Sequence, residues 1–446
     1  MKKKKQIAII LLFLFNIALY FLGYHVPRTS FYLTFCLYTF LFAAHLAIYK
    51  LFDEKWINLK NVLFISLLSR VVLIGAVPQL SDDYNRFIWD GHLVTNQINP
   101  YKYTPTEILD NLPQEELPFF NSLFERLNSP DYYSIYPITN QAVFAAAATI
   151  GGDSVFWNII IIRAVLVALE MLTIVFLFLL LQKLRLSPSK IFLYALNPLV
   201  LIEITGNLHF EGMMLLFLLI TLYCLAKNKD LLSGAFFGLS IAVKITPVIL
   251  FPAFYSYLRK PWILRFASIA GLVVVLFFFP IVLYGSMRQF LQSIRLYHGV
   301  FEFNASVYYV FRHIGILFFH NNPVRVLGPL LSVLTVFVIL SSFWKLKDPS
   351  VQKLIEGIVF SYLIFYLLNT VVHPWYLIVG LGVSILTNKN YFTAWSYLIF
   401  LSYFTYRTSA YTESTLLLFM EYLGLLAVVF YDHRRSIKKL KFNSLR

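Results

Sequence analysis

Residues 1–23, MKKKKQIAIILLFLFNIALYFLG, place four lysines before an apolar run long enough to cross a bilayer. The segment can be taken for a secretion signal. It has no small-residue cleavage site, however, and its apolar run outlasts a signal core, so it is expected to remain as a first membrane helix. Apolar runs of about 15 to 25 residues recur to the far end of the chain. The composition agrees: 59% of the 446 residues are hydrophobic and only 13% are charged, against roughly a quarter charged in soluble domains. The chain therefore reads as an all-α polytopic membrane protein, with residues 1–446 forming one integral membrane domain.

Putting Lys2–Lys5 in the cytoplasm orients the rest. Spans are expected near 7–24, 31–49, 61–79, 156–182, 191–205, 212–226, 231–243, 247–258, 264–284, 325–344, 354–371, 375–387, 391–405 and 414–431. These make roughly fourteen crossings with both termini cytoplasmic. Segments 138–150 and 307–320 are expected as re-entrant or surface helices. The net charge of +15 does not point to nucleic acid, because the basic residues sit in short clusters between apolar runs. Lys55 and Lys60, Lys345 and Lys347, and the tail to Arg446 are examples, and most lysines and arginines fall on the cytoplasmic side, as topology signals do. Cys36 and Cys224 lie far apart in apolar runs and fit no metal spacing.

Against this background the stretch Ser81–Tyr101, SDDYNRFIWDGHLVTNQINPY, is unusually polar. It opens a large first extracytoplasmic loop over residues 81–137. The other polar outliers fall on the same face: NLHFEG (207–212), KITP (244–247), the loop 285–306, HPWY (373–376) and YRTSAYTE (406–413). The hairpins around His209, Glu211 and Lys244 are built from helices of about 20 to 22 Å, against a hydrocarbon core of about 30 Å. Their tips should lie below the membrane surface, and charge at that depth is tolerated only where it lines a cavity or is buried in protein. A polar cavity recessed into the bilayer follows.

Several residues there suit chemistry. Asp82 and Asp83 fit a general base taking a proton from a sugar or lipid hydroxyl, and equally the cap of a short loop helix. His209 and Glu211 make a His-x-acid pair, too few ligands for a metal site, and also fit a hydrogen-bonded pair covering helix ends. Lys244, between two apolar half-helices, fits either a phosphate ligand or an ion pair with Glu211. His373, in VVHPWYL, can donate to an anion or simply sit in an aromatic belt. Arg407 and Arg312 are further cations on that face, suited to a phosphate. Arg70, Arg163 and Glu170 lie inside spans and suggest a buried ion pair. Asn304, in NAS, matches the glycosylation acceptor pattern weakly.

Taken in order, SDDYNRFIWDGHLVTNQINPYKYTP, YPITNQ, the His-x-acid tip, VKITPVILFP, NASVYY and VHPWYL resemble the polyprenol-phosphate-dependent mannosyltransferases of the GT-C glycosyltransferase superfamily. The resemblance runs from residue 81 to about residue 376. It implies a GT-C-like multi-helix bundle in the cell inner (plasma) membrane, with its site on the periplasmic face and 81–137 as the catalytic loop. It implies inverting transfer of a hexose, most often mannose, from a polyprenyl-phosphate-linked donor to a hydroxyl of a glycan or lipid acceptor. Carried over by position, Asp82 or Asp83 is the catalytic base, and Lys244, His373 and Arg407 hold the donor phosphate. Arg86, Trp89, Asp90, Asn99, Tyr101, His209 and Glu211 are substrate-binding candidates. Two departures stand out: the acids are adjacent where relatives show Asp-x-Asp, and Glu211 stands where an aspartate is usual. Metal use varies in that superfamily; no full ligand set is visible here, and no cofactor is expected. A lipid transporter or flippase, or an O-antigen-ligase-like transferase with a diphosphate-linked donor, are the competing readings.

Overall fold

The computed structural model of the protein describes residues 2–52, 57–110, 112, 117–343 and 350–443. Of the basic residues that set the expected orientation, Lys55, Lys345, Lys347 and Arg446 lie outside the described residues, as do residues 111 and 113–116 of the 81–137 loop. Among the described residues the regular structure is helical, with one isolated bridge between Phe303 and Val371.

The chain begins with α1 (Lys2–Tyr24), α2 (Phe31–Leu51) and a shorter α3 (Leu59–Val71). The 81–137 loop folds into α4 (Asp83–Thr95), α5 (Pro105–Leu109) and α6 (Leu117–Phe124). Helix α7 (Ile138–Gly151) then leads into α8 (Val155–Lys183). Among the described residues, seven helices are long and apolar enough to cross a membrane: α1, α2, α8, Trp262–Leu283, Val324–Phe343, Val351–Leu368 and the helix starting at Thr415. The chain is an all-α polytopic membrane protein.

The expectation of roughly fourteen crossings exceeds these seven, or eight when Pro188–Ala195 and Pro198–Gly206, bent by 44° at their junction, count as one. Most of the remaining segments exist as shorter helices. Glu211–Leu225 and Asp230–Val243 are 15 and 14 residues long, and the expected span at 61–79 is a 13-residue helix followed by turns. Segments 247–258 and 391–405 break into pieces that mix 3-10 and α turns. Proline accounts for several breaks: Pro198, Pro247, Pro252 and Pro374 each sit in the first turn of a new piece, where their missing N–H costs nothing.

Short and long helices differ in what surrounds them. All residues of Glu211–Leu225 except Phe217, Ile220 and Tyr223 are buried, so this helix is held by protein over most of its circumference. Trp262–Leu283 instead leaves Leu264, Leu272, Val275, Leu276 and Phe279 exposed, and Val324–Phe343 does the same with Val326, Leu330, Val333 and Phe337. Such apolar exposure along a long helix is what contact with lipid tails requires.

The buried charges Arg70, Glu170 and Arg163 find partners nearby. Arg70 and Glu170 pair at 2.9 Å with both side chains out of solvent, and Tyr194 donates to the same carboxylate. Arg163 stays outside that pair. Its guanidinium donates to the carbonyl of Ile74, after α3, and to those of Thr205 and Gly206 at the end of the bent segment. This anchors the turn that carries His209. The 81–137 loop is equally well seated: residues 84–93 of α4 are all buried. A Cβ on Gly91 would lie 2.4 Å from the Phe144 carbonyl oxygen of α7, so α4 and α7 cross at a distance only glycine allows. Both cysteines are free thiols, Cys224 buried and Cys36 exposed.

Candidate functional site

The polar tips converge on one cavity of about 740 Å³. Its acidic wall comes from the start of α4, with Asp82, Asp83 and Arg86, and from the 207–211 turn, with His209 and Glu211. Lys244 enters from the end of Asp230–Val243, and His373, Trp375 and Tyr376 enter from the segment after Val351–Leu368. The rest of the lining includes an apolar region of Ile245, Val248, Ile249, Val336 and Phe365.

The two adjacent acids have different partners. Asp82 occupies the N-cap position of α4 but its side chain makes no cap bond; the Ser81 hydroxyl accepts the Asp83 N–H instead, at 3.3 Å. The capping reading of the acid pair therefore falls to Ser81. Asp82 pairs with Arg28 at 2.5 Å. Asp83 accepts from Asn128 Nδ2 at 2.9 Å, and its other oxygen lies 3.7 Å from His209 Nε2. Burial would raise the Asp83 carboxyl, but His209 and Asn128 hold it below its ordinary value. His209 does not pair with Glu211, as the helix-end reading of that tip requires; its other ring nitrogen lies 3.2 Å from Glu203 Oε2. Burial would lower the imidazole, yet Asp83 and Glu203 hold it up to about 9.

At the cationic wall, Lys244 Nζ meets Glu211 Oε1 at 2.6 Å and sits 4.0 Å over the Tyr376 ring. The ion-pair geometry is thus present, while the lysine side chain keeps 35% of its surface open to the cavity. His373 lies between Phe303 and Trp375, with ring centroids 4.6 and 4.3 Å away, and Trp375 stacks on His209 at 3.9 Å. Backbone bonds from Phe303 to Thr370 and from Val372 to Phe303 fix this ladder of rings. Burial lowers His373 to about 3, so it offers a hydrogen bond rather than charge.

Of the twelve residues to which the resemblance gives a site role, Asp82, Asp83, Arg86, His209, Glu211, Lys244 and His373 line this cavity. The other five do not. Asp90 is buried and bound to Arg86, Ser134 and Gln141, which locks the loop onto the start of α7. Trp89 packs edge-on against Phe120. Asn99 donates to Ser286, and Tyr101 to the Tyr136 carbonyl. Arg407 is exposed and lies 3.9 Å over the Phe404 ring. Arg312 pairs with Glu302. Asn304 is buried with its amide on Glu421, so its glycosylation pattern is not accessible. Among the described residues no three His, Cys, Asp or Glu side chains cluster as a metal site.

Arg28, Asn128, Glu203 and Trp375 were missed by residue-type reasoning. Glu203 alone left a clear trace, a carboxylate inside the apolar run LVLIEITG (199–206). Residues 16–259 match the family model described as Alpha-(1->6)-mannopyranosyltransferase, N-terminal domain. That range takes in both aspartates, His209, Glu211 and Lys244 and ends before His373. No curated protein and no solved structure matches the chain.

Proposed function

We propose, from the premise that this chain belongs to the alpha-(1->6)-mannopyranosyltransferase family and is therefore a glycosyltransferase of the GT-C type, that it moves mannose from a polyprenyl-phosphate-linked donor to an acceptor hydroxyl at the cavity. The whole chain acts as one membrane unit, and residues 81–137 are its catalytic loop. Asp83 takes the acceptor proton as the acceptor oxygen bonds to the anomeric carbon. The bond from that carbon to the phosphate oxygen breaks on the opposite side, with inversion, and the lipid phosphate leaves with the electron pair. Lys244 meets the charge that develops on the phosphate, and His373 adds a hydrogen bond.

The observation that carries the reading is a single cavity holding an ionised carboxylate, an open lysine and an apolar region. Asp82 is tied to Arg28 at 2.5 Å, whereas the cation facing Asp83 stands 3.7 Å away, and this looser contact favours Asp83 as base. The apolar region suits the first isoprene units of a lipid donor. Glu211 must share or release Lys244 when a phosphate enters. The bias of basic clusters towards the other face supports an extracytoplasmic site in a plasma membrane.

The test offers purified protein two donors, polyprenyl-phosphate mannose and a nucleotide-linked mannose, with a mannoside acceptor. Transfer from the lipid-linked donor alone is expected, with KM for that donor raised in Lys244→Ala. Transfer from the nucleotide-linked donor would overturn the donor assignment.

A further inference from the structure

We propose that Glu203 is the positioning residue of this site: it holds the His209 imidazolium against Asp83 and so fixes where the Asp83 carboxylate points. The inference rests on the reading of Asp83 as base, and its evidence is the surroundings of Glu203 itself. Glu203 lies on a π-helical turn, Leu201–Gly206, and is wholly buried; such turns are rare and concentrate at functional sites. A buried carboxylate is costly unless donors converge on it. Three do so here: the Tyr403 hydroxyl, Asn207 Nδ2 at 3.1 Å and His209 Nδ1 at 3.2 Å.

The ring is held through Nδ1 and one face. The His209 backbone N–H donates to the Glu203 carbonyl at 3.0 Å, and Nδ1 lies 3.1 Å from that same oxygen. With two acceptors beside it, Nδ1 carries a hydrogen. Nε2 then faces Asp83 Oδ2 at 3.7 Å, a contact between two acceptors unless Nε2 also carries one. The Trp375 ring, parallel to the imidazole within 11° at 3.9 Å, offers a face that favours a cation. The arrangement is a carboxylate–imidazolium–carboxylate row whose buried end is Glu203 and whose cavity end is Asp83. His209 keeps its proton throughout, and the acceptor proton goes to Asp83.

Charged and titratable neighbours come from each packed element. They are Asp83 from α4, Tyr38 from α2, Tyr403 and Tyr406 from Ile399–Arg407, and His373 before Pro374, with Lys244 acting on His373. The carboxylates are the groups that hold His209 charged. The competing role for Glu203 is a structural tie from the π turn to Tyr403, which would lower stability without a pH signature.

The experiment follows the ring-nitrogen shifts of histidine-labelled, full-length protein in detergent across pH, with His209 identified by its loss in His209→Gln. In Glu203→Gln the His209 midpoint should fall by about one to three pH units, and the alkaline limb of kcat for mannose transfer should move down with it while KM holds. In Asp83→Asn, which keeps Glu203, the midpoint should stay above the ordinary 6.5. An unmoved midpoint in folded Glu203→Gln, or a midpoint below 6.5 in Asp83→Asn, overturns the proposal. So does a midpoint that moves while the kcat limb does not. If the wild type transfers no mannose, the functional reading has failed separately, and the two midpoints alone decide the Glu203–His209 pairing.

Discussion

Gly91→Ala should damage both stability and turnover, although residue 91 lies outside the cavity. The added Cβ would stand 2.4 Å from the Phe144 carbonyl oxygen, 2.7 Å from its carbon and 3.2 Å from Phe144 Cβ. Two of these atoms are backbone and cannot rotate aside, so α4 must withdraw from α7. Restoring an ordinary contact near 3.4 Å needs a shift of about 1 Å at the crossing. Overpacking of this kind costs about 1 to 3 kcal/mol. Because α4 starts at Asp83 and carries Arg86, the same shift displaces the acidic wall, and a 1 Å misplacement of reacting groups can cost about a hundredfold in rate. The assay is thermal unfolding in detergent alongside mannose transfer, with Gly271→Ala as control because a Cβ there meets nothing within 4 Å. Gly91→Ala should unfold several degrees lower and lose about two orders of magnitude in kcat, with Gly271→Ala close to wild type. Equal behaviour of the two variants would refute the crossing as the reason for the glycine.

Other perturbations test other links. Glu170→Ala strands Arg70 without its 2.9 Å partner and should cost about 3 to 5 kcal/mol, read as lost folded yield; the paired change Arg70→Met with Glu170→Leu should recover most of it. The His209 imidazole, held up to about 9 from 6.5, contributes stability that is fully present below pH 6.5 and is lost as pH rises through about 9. Thermal stability should therefore fall across that window in the wild type and fall less in His209→Gln. Asp83 works in the other direction: its depressed carboxyl contributes stability above the ordinary carboxylate range that is lost on acidification. Arg28→Ala breaks a partly exposed pair with Asp82 and should cost under about 1 kcal/mol, so an effect on transfer rate with little effect on unfolding is expected.

The membrane class was legible because a long apolar run has few other uses, and α1, α2 and α8 lie close to where hydropathy puts them. The crossing count was not, because a buried 15-residue helix such as Glu211–Leu225 and a lipid-facing one look alike in composition. The residues that line the cavity were visible where a polar group interrupts an apolar run at a hairpin tip, as with His209, Glu211 and Lys244. Trp89, Asp90, Asn99 and Tyr101 lie in the same conspicuous loop, yet they brace it from behind; their type cannot show which side of α4 meets the cavity. Arg28 and Asn128 reach Asp82 and Asp83 from 54 and 45 residues away, and no local pattern encodes such a contact. The aromatic ladder from Phe303 to His209 has the same origin, since a backbone bridge between distant segments sets its order.

The most direct test of the central claim is the single-turnover rate of mannose transfer from polyprenyl-phosphate mannose in wild type, Asp83→Asn and Asp82→Asn, with folding checked in each. The base assignment predicts transfer by the wild type, a loss of about a hundredfold to ten-thousandfold in Asp83→Asn, and a much smaller loss in Asp82→Asn. Wild-type rates in a folded Asp83→Asn would contradict it.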